Sequence, residues 1–183
     1  MFAYAAGDER AFTRLFACVA PSVHRFFLRS FRDRSLSDEL LQSTFFRVHR
    51  ARASYRPDLP LRPWLFTIAA RVRRDELRRR LRLREDPGEE ALAIAEEARA
   101  LGAAGNDGHS PRDGDLGALV RAAVDDLPES QRVVLRLHRF EGMTFAEIAG
   151  VLGTSEVAVR GRAFRAYAQL RKRLAPLLEG ESP

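Results

Sequence analysis

The stretch from Thr144 to Leu174 constrains the fold most, because it combines two helix signatures with a tight turn between them. The first apolar residues recur at helical spacing: Phe145, Ile148, Ala149 and Leu152. Thr144 and Glu147 form a capping-box pattern, which predicts a helix over 144–152. Gly153 can adopt the left-handed conformation that ends a helix, and Ser155 can cap a second one. Two helices joined in this way predict a helix-turn-helix.

The second helix of this pair is predicted to be both amphipathic and basic. Its apolar residues are Val157, Val159, Phe164 and Leu170. Arg160 and Arg162 lie in its first two turns, and Arg165 follows about one turn after Arg162. Side chains at these positions of a recognition helix meet base edges and phosphates, so the pattern favours DNA binding. The alternative is an amphipathic hairpin of a helical core, with solvated arginines.

Charge and cysteine content narrow the functional class. The 183 residues carry a net charge of +6, and every basic residue except Lys172 is arginine, which indicates a polyanionic partner such as nucleic acid. Cys18 is the only cysteine, which excludes an internal disulfide and a thiolate zinc site. It lies on a largely apolar helix and is predicted to be a small buried hydrophobe. No apolar run approaches the roughly 20 residues of a membrane span, so we expect a soluble, cytoplasmic protein without membrane insertion.

The N-terminal third is predicted to be helical. Between Asp8 and Phe31 the apolar residues recur every three or four positions: Phe12, Leu15, Phe16, Val19, Val23, Phe26 and Phe27. Pro21 is predicted to mark a joint between two packed helices. Ser35 or Ser37 can cap the next helix. Its apolar stripe is Leu40, Leu41, Phe45 and Val48, and its polar residues are Asp38, Glu39, Gln42 and Arg50.

A proline-rich loop precedes a long basic helix. Residues 55–63 contain three prolines in nine positions and therefore predict a shaped loop, and Pro63 suits the first turn of the next helix. The apolar stripe of that helix is Trp64, Leu65, Ile68, Ala69, Val72 and Leu77. Its arginines are Arg71, Arg73, Arg74, Arg78, Arg79, Arg80, Arg82 and Arg84. Such a charge density favours a bound anion, and an ordinary solvated face is the alternative.

The chain as a whole is predicted to be all-α, with two small helical domains. The first covers residues 1–84, and the second covers 116–178 with four helices and a tail at 179–183. Residues 85–115 are rich in Gly, Asp, Glu and Ala and predict a flexible acidic linker. The histidines are scattered, so no metal site, cofactor or catalytic constellation is expected.

Four blocks of the chain match a known family in order and spacing. They are AAGDERAFTRLF, SDELLQSTFFRVHRA, RPWLFTIAARVRRDELRRR and the stretch from LPESQRVVLRLHRFEGMTFAEIAGVLGTSEVAVRG to the end of the last helix. In these blocks the chain resembles an extracytoplasmic-function (ECF) sigma factor of bacterial RNA polymerase, the minimal branch of the sigma-70 superfamily. The resemblance implies a factor that binds core RNA polymerase and directs promoter-specific transcription initiation. The first domain would bind the clamp helices of the largest catalytic subunit and melt the -10 element. The second would contact the flap of the second subunit and read the -35 element.

The same resemblance assigns roles to particular positions. The polymerase-contacting motif is matched by Asp38, Glu39, Leu41, Gln42 and Phe45. The loop and helix that capture and support a flipped base of the -10 element are matched by Tyr55, Arg56, Asp58, Leu61, Trp64, Arg71, Arg74 and Arg78. The -35 reading surface is matched by Thr154, Ser155, Arg160, Arg162 and Arg165. An anti-sigma factor that wedges into both domains is a further partner that the resemblance implies.

Three positions depart from the family pattern, and two other functional classes compete with it. Ser43, His49 and Arg71 stand where the family usually has Glu, Trp and Asn, which is expected to retune polymerase docking and the -10 preference. One rival is a stand-alone helix-turn-helix transcriptional regulator, with residues 1–84 as a dimerisation or effector domain. The other is a nucleic-acid-processing enzyme with three carboxylates as metal ligands: Asp38, Glu39 and Asp75.

Overall fold

The chain folds into helices. The computed structural model describes residues 1–5, 7–85 and 114–179, and all regular structure within these ranges is helical. The chain divides into two compact units, with residues 1–85 in the first and 114–179 in the second. The prediction of an all-α protein with two helical domains is therefore confirmed. The predicted linker lies almost entirely outside the described residues, as does the tail beyond residue 179.

The first unit packs three long helices around an aromatic core. Its elements are α1 (Phe2–Ala5), α2 (Glu9–Phe31), α3 (Arg34–Ala51), a single 3-10 turn (Arg52–Ser54) and α4 (Leu61–Glu85). Helix α3 packs against both α2 and α4. Phe26, Phe27 and Phe66 are fully buried between them, and the rings of Phe26 and Phe66 meet edge to face at 5.5 Å. Burial of large aromatic side chains supplies much of the stability of so small a core.

The prediction of a helix joint at Pro21 is wrong, because α2 continues through it from Glu9 to Phe31. A proline inside a helix removes one backbone hydrogen bond and costs about 3 kcal/mol. The buried residues on either side of it, Val19 and Val23, keep one helical register. Burying that stripe together with Phe26 outweighs the loss of the hydrogen bond, so the helix is not interrupted.

The predicted cap of α3 and the predicted burial of Cys18 are also wrong. Asp33 caps the helix, since its side chain accepts a hydrogen bond from the Leu36 amide at 2.9 Å. Ser37 is buried instead, and its hydroxyl donates to the Asp33 carbonyl at 2.6 Å. Cys18 is exposed, because it lies beside the buried stripe of α2 and not on it.

The second unit contains four α-helices in its described part, as predicted. They are α5 (Gly114–Asp125), α6 (Glu129–Leu135), α7 (Phe145–Leu152) and α8 (Glu156–Glu179), and a π-helical turn (Arg136–Phe140) follows α6. Leu127, Leu135 and Ala166 form a buried cluster on which Leu170 packs. Helix α8 packs against α5, α6 and α7, so this one helix organises the unit.

The local signals of the helix-turn-helix are confirmed. The Thr144 amide donates to the Glu147 carboxylate at 2.8 Å, and the Glu147 amide donates to the Thr144 hydroxyl at 3.2 Å, which completes the capping box. Gly153 has φ 65° and ψ 45°, the left-handed conformation that ends α7. Ser155 accepts a hydrogen bond from the Ala158 amide at 3.2 Å and so caps α8. Within the described ranges, no helix has the length and hydropathy needed to cross a membrane.

Candidate nucleic-acid and protein interfaces

The predicted -35 reading residues lie in the turn before α8 and in the first three turns of this helix. Arg160 and Arg165 are exposed, and Arg162 is half-buried at the side of the helix. Thr154 is half-buried in the turn, and the exposed Ser155 uses its hydroxyl to cap the helix. These five residues therefore lie together at the N-terminal half of the second helix, the part that enters the major groove in helix-turn-helix proteins.

Two residues assigned to the apolar stripe of α8 lie outside it. The buried residues of this helix are Val159, Ala163 and Ala166, whose spacing marks the face packed on the domain core. Val157 and Phe164 are 80% and 76% exposed. The small alanine side chains let α8 approach the core closely, and this orientation turns Val157 and Phe164 towards solvent together with the arginines.

Arg160 is held in place by contacts that sequence reasoning missed. Its Nε and Nη2 atoms donate to Oε1 of Glu156 at 2.9 and 2.5 Å, one helical turn before it. The guanidinium also lies 5.5 Å from the ring centroid of Phe145, the first residue of α7. The ring of Phe145 is 4.6 Å from that of His138, whose Nδ1 bonds to the Met143 carbonyl at 2.8 Å. Arg160 is thus anchored to both helices of the helix-turn-helix, which limits its rotamers before it meets a ligand.

The loop before α4 forms an aromatic wall in the first unit. The Tyr55 hydroxyl donates to the Leu59 carbonyl at 2.9 Å and so spans the loop. The Tyr55 ring meets the Trp64 ring edge to face at 5.2 Å. Arg56 and Asp58 form an ion pair at 2.8 Å on the exposed side of the loop. These contacts give the predicted shaped loop one conformation and two aromatic rings against which a planar ligand can pack.

The charged residues of α4 are not all available at its surface, contrary to the predicted basic face. Arg73 is buried, donates from Nε to the Ser30 hydroxyl at 2.9 Å, and lies 5.8 Å from the Phe26 ring centroid. Glu76 is also buried, and Arg79 and Arg80 both bind its carboxylate. The arginines predicted to contact the -10 element are exposed on α4: Arg71, Arg74 and Arg78.

The ion-pair cluster of α4, defined as Glu76 with Arg79 and Arg80, predicts a pH-dependent stability. Burial alone raises the pKa of the Glu76 carboxyl, but hydrogen bonds from the two arginines more than offset it and lower the pKa below its ordinary value. A lowered carboxyl pKa contributes stability that is present above the ordinary pKa and is lost as the pH falls through the folded-state pKa. We expect Glu76→Gln to destabilise the chain by about 1–3 kcal/mol near neutral pH.

Urea unfolding at about pH 7 and about pH 3 checks this expectation. The destabilisation by Glu76→Gln should shrink at the lower pH, because the stability that the charged wild-type carboxylate contributes is lost as the pH falls towards its lowered pKa. Glu39→Gln is the matched control, since Glu39 is exposed on α3 and acts on Arg79 only through its charge, so its effect at about pH 7 should be much smaller than that of Glu76→Gln. An equal effect of Glu76→Gln at both values would contradict the role of the charged carboxylate.

The polar face of α3 borders a shallow groove between α2 and α3. Asp38, Glu39 and Gln42 are exposed, and Leu41 is half-buried among them. Asp38 lies 3.0 Å from Nε2 of His24, which belongs to α2. The groove has a volume of about 300 Å³ and is lined by Phe16, Ala17, Ala20, Pro21, His24, Asp38 and Leu41. Asp38 and Leu41 therefore line this groove, and Glu39 and Gln42 are exposed on the same helix.

Phe45 is the exception among the five predicted polymerase-contacting residues. Its side chain is only 5% exposed and packs against Phe16 at 4.6 Å and Phe12 at 6.1 Å between ring centroids. A direct contact of Phe45 with a partner is therefore not available in this conformation. Its neighbour Phe46 is 63% exposed beneath the guanidinium of Arg50, 5.9 Å from the ring centroid. Phe45 and Phe46 are the same residue type, so only the packing of α3 on α2 determines which of the two is buried.

The carboxylates of the proposed metal-dependent enzyme do not form one cluster. Asp38 pairs with His24, and Asp75 pairs with Arg47 at 2.9 Å. Within residues 1–5, 7–85 and 114–179 no group of three His, Cys, Asp or Glu side chains could hold a metal ion.

Two of the departures from the family pattern lie at the surface of α3. Ser43 is exposed, and His49 bonds through Nδ1 to the Tyr4 hydroxyl at 2.6 Å. Burial raises the pKa of that hydroxyl, and the positive charge of Arg52 opposes this shift. His49 thereby ties the short α1 to the end of α3.

Comparison with known proteins assigns the family. Residues 15–83 match the family model described as Sigma-70 region 2, and residues 118–170 match Sigma-70, region 4. RNA polymerase sigma factor CarQ of Myxococcus xanthus is 36% identical over 171 residues, which cover 93% of each chain. The chain belongs to the sigma-70 family. It is a sigma factor that directs promoter-specific transcription, and it is not an enzyme.

Further comparisons place this sigma factor in the ECF branch. ECF RNA polymerase sigma factor SigM of Mycobacterium tuberculosis is 29% identical and is matched over 97% of this chain and 84% of its own. Among solved structures, CnrH in complex with the cytosolic domain of CnrY is 29% identical, with a TM-score of 0.62 over 97% of this chain and 94% of that one. The stand-alone regulator is accordingly not favoured.

Proposed function

We propose that this sigma factor divides its work among three surfaces. The face of α3 binds core RNA polymerase, the loop at 55–60 with α4 captures and opens the -10 element, and α8 reads the -35 element. The observation that carries the proposal is the helix-turn-helix of the second unit, which presents Arg160 and Arg165 at its exposed surface. Arginine is the residue best suited to a bidentate contact with guanine.

The face of α3 supports the role in polymerase binding. Leu41 lines an apolar groove together with Asp38, and Glu39 and Gln42 are exposed near it in sequence on α3, a mixture of apolar and polar groups that suits a protein interface. Phe45 supports this face from the core and does not contact the polymerase itself. The polymerase partner that suits the surface is the clamp of the largest catalytic subunit, and the second unit would contact the flap of the second subunit.

The aromatic loop supports the role in promoter opening. Extrusion of a base costs a few kcal/mol, which stacking on aromatic side chains and contacts with the backbone must offset. Tyr55 and Trp64 supply two packed rings, and the loop is held by the Tyr55 hydroxyl. Arg71, Arg74 and Arg78 on the adjoining α4 would bind the phosphates of the separated strand, and Arg56, Asp58 and Leu61 would shape the pocket.

An inhibitory polypeptide is a further proposed partner. The related CnrH was solved in complex with the cytosolic domain of CnrY. The groove between α2 and α3 is apolar at Phe16, Pro21 and Leu41 and is bordered by Asp38, so it suits an amphipathic segment of an anti-sigma factor. We expect this protein to be cytoplasmic and to bind both the polymerase and such a regulator there.

Reconstitution with bacterial core RNA polymerase tests the proposal. We expect the purified chain to form a stoichiometric complex with core enzyme and to yield promoter-dependent transcripts in the same tube. Duplex promoter DNA alone should bind weakly and with a strong dependence on salt. Tight, sequence-specific duplex binding by the isolated chain without any complex with core enzyme would contradict the proposal and favour a stand-alone regulator.

A further inference from the structure

Val157 is the most exposed large apolar side chain among the described residues, at 80%. It is the second residue of α8, immediately beyond the turn formed by Gly153 and the cap formed by Ser155. These two signals fix where α8 begins, and the packing of Val159, Ala163 and Ala166 on the core turns Val157 towards solvent. When an apolar group of a ligand covers so exposed an apolar side chain, the burial of both surfaces from water stabilises the complex.

The surroundings of Val157 are those of a base-reading position. Arg160 follows three residues later, about 4.5 Å further along the helix axis, and is anchored by Glu156 and Phe145. Gly161 lies one turn after Val157 and has no side chain that could cover it; a Cβ atom there would meet only the guanidinium of Arg165. Val157 is thus an uncovered apolar side chain near Arg160 and Arg165. It lies at the N-terminus of α8, the end that enters the major groove in helix-turn-helix proteins.

The major groove offers one apolar group to such a side chain, the C5-methyl of thymine. Valine suits this contact because its branched side chain is stiff at χ1 and loses little entropy when it is ordered. The flanking arginines attract phosphates and favour DNA over an apolar protein segment as the occupant. We propose that Val157 is a specificity-determining residue that reads the methyl group of a thymine in the -35 element, in a base pair next to the one that Arg160 contacts. This inference rests on the proposed function of α8.

Removal of single methyl groups from the DNA tests the contact. The -35 element is first selected with wild-type holoenzyme, and each thymine is then replaced in turn by uracil, which lacks only the C5-methyl. At one position we expect the wild-type holoenzyme to bind uracil about fourfold more weakly than thymine, the effect of one buried methyl group. The Val157→Ala holoenzyme should bind both duplexes equally, at about the level of wild type on uracil.

Val120→Ala is the matched control, because Val120 is an exposed valine on α5 and does not belong to the first turns of α8. It should keep the full difference between thymine and uracil. Val157→Ala should melt as wild type does, since the side chain contributes little to the core. The inference is overturned if no thymine shows the difference, or if Val157→Ala retains it while Val120→Ala behaves as wild type.

Failure of the proposed function would look different. In that case wild-type holoenzyme would not form or would select no -35 element, and the inference on Val157 would fall with it. A selected element together with methyl sensitivity that survives Val157→Ala would leave the proposed function intact and overturn only the role of Val157.

Discussion

Leu41→Asp is expected to reduce binding of this sigma factor to core RNA polymerase by at least about 100-fold, the effect of losing an interface hot spot. Leu41 is the apolar centre of the α3 face and lines the groove beside Asp38. A carboxylate at this position removes the apolar contact and adds a negative charge that must be desolvated in the complex. Competition with labelled wild-type factor for core enzyme measures the loss.

Two further substitutions make this result interpretable. Leu81→Asp is the matched control, because Leu81 is an exposed leucine on α4, 56% accessible, and should leave binding to core enzyme unchanged. Phe45 cannot serve the same test, since removal of a buried phenylalanine leaves a cavity that costs about 3–5 kcal/mol, so a loss of binding would also reflect a loss of stability. A folded Leu41→Asp protein that binds core enzyme as wild type does would place the interface elsewhere.

Arg160→Ala is expected to weaken promoter recognition by the holoenzyme by about 1–3 kcal/mol and to relax the preference at one base pair of the -35 element. The anchoring of the guanidinium by Glu156 and Phe145 means that little entropy is lost when Arg160 meets a guanine. Arg165→Ala should have an effect of the same size, at another base pair or at a phosphate. Binding titrations on a set of single-base variants of the -35 element measure both quantities.

Arg171→Ala is the control that distinguishes the loss of a base contact from the loss of one nonspecific positive charge. Arg171 is exposed further along α8, so its loss should weaken binding to all promoters alike, with a smaller salt dependence and an unchanged base preference. If Arg160→Ala and Arg165→Ala both left the promoter preference unchanged, the recognition surface would lie elsewhere on the second unit. Lys in place of Arg160 should recover charge without the bidentate geometry, so the base preference should remain relaxed.

Local sequence signals were sufficient to predict the helix-turn-helix. The capping box of Thr144 and Glu147, the left-handed Gly153 and the cap at Ser155 each involve groups within three residues of one another, so their geometry follows from the adjacent sequence. The all-α class and the four helices of the second unit follow from the same short-range periodicity. The roles given to individual residues at the three surfaces remain predictions.

Failures of sequence-based prediction share a physical cause, which is packing between distant segments. Whether Phe45 or Phe46 faces the core depends on how α3 lies on α2, and the same contact keeps α2 continuous through Pro21. The burial of Arg73 depends on Ser30 and Phe26, more than forty residues away in sequence. A short segment of sequence contains only one side of each of these contacts, so its pattern could not reveal them.

By itself, the sequence determined the all-α class, the caps and turn of the helix-turn-helix and the overall charge, because these depend on backbone propensity and on neighbours one turn away. The tertiary structure alone decided which side chains are accessible. It removed Arg73 from the basic face, tied Arg79 and Arg80 to Glu76, and turned Val157 towards solvent. The reason is that burial is a property of pairs of packed surfaces, and a helical periodicity identifies an apolar stripe without specifying the partner that covers it.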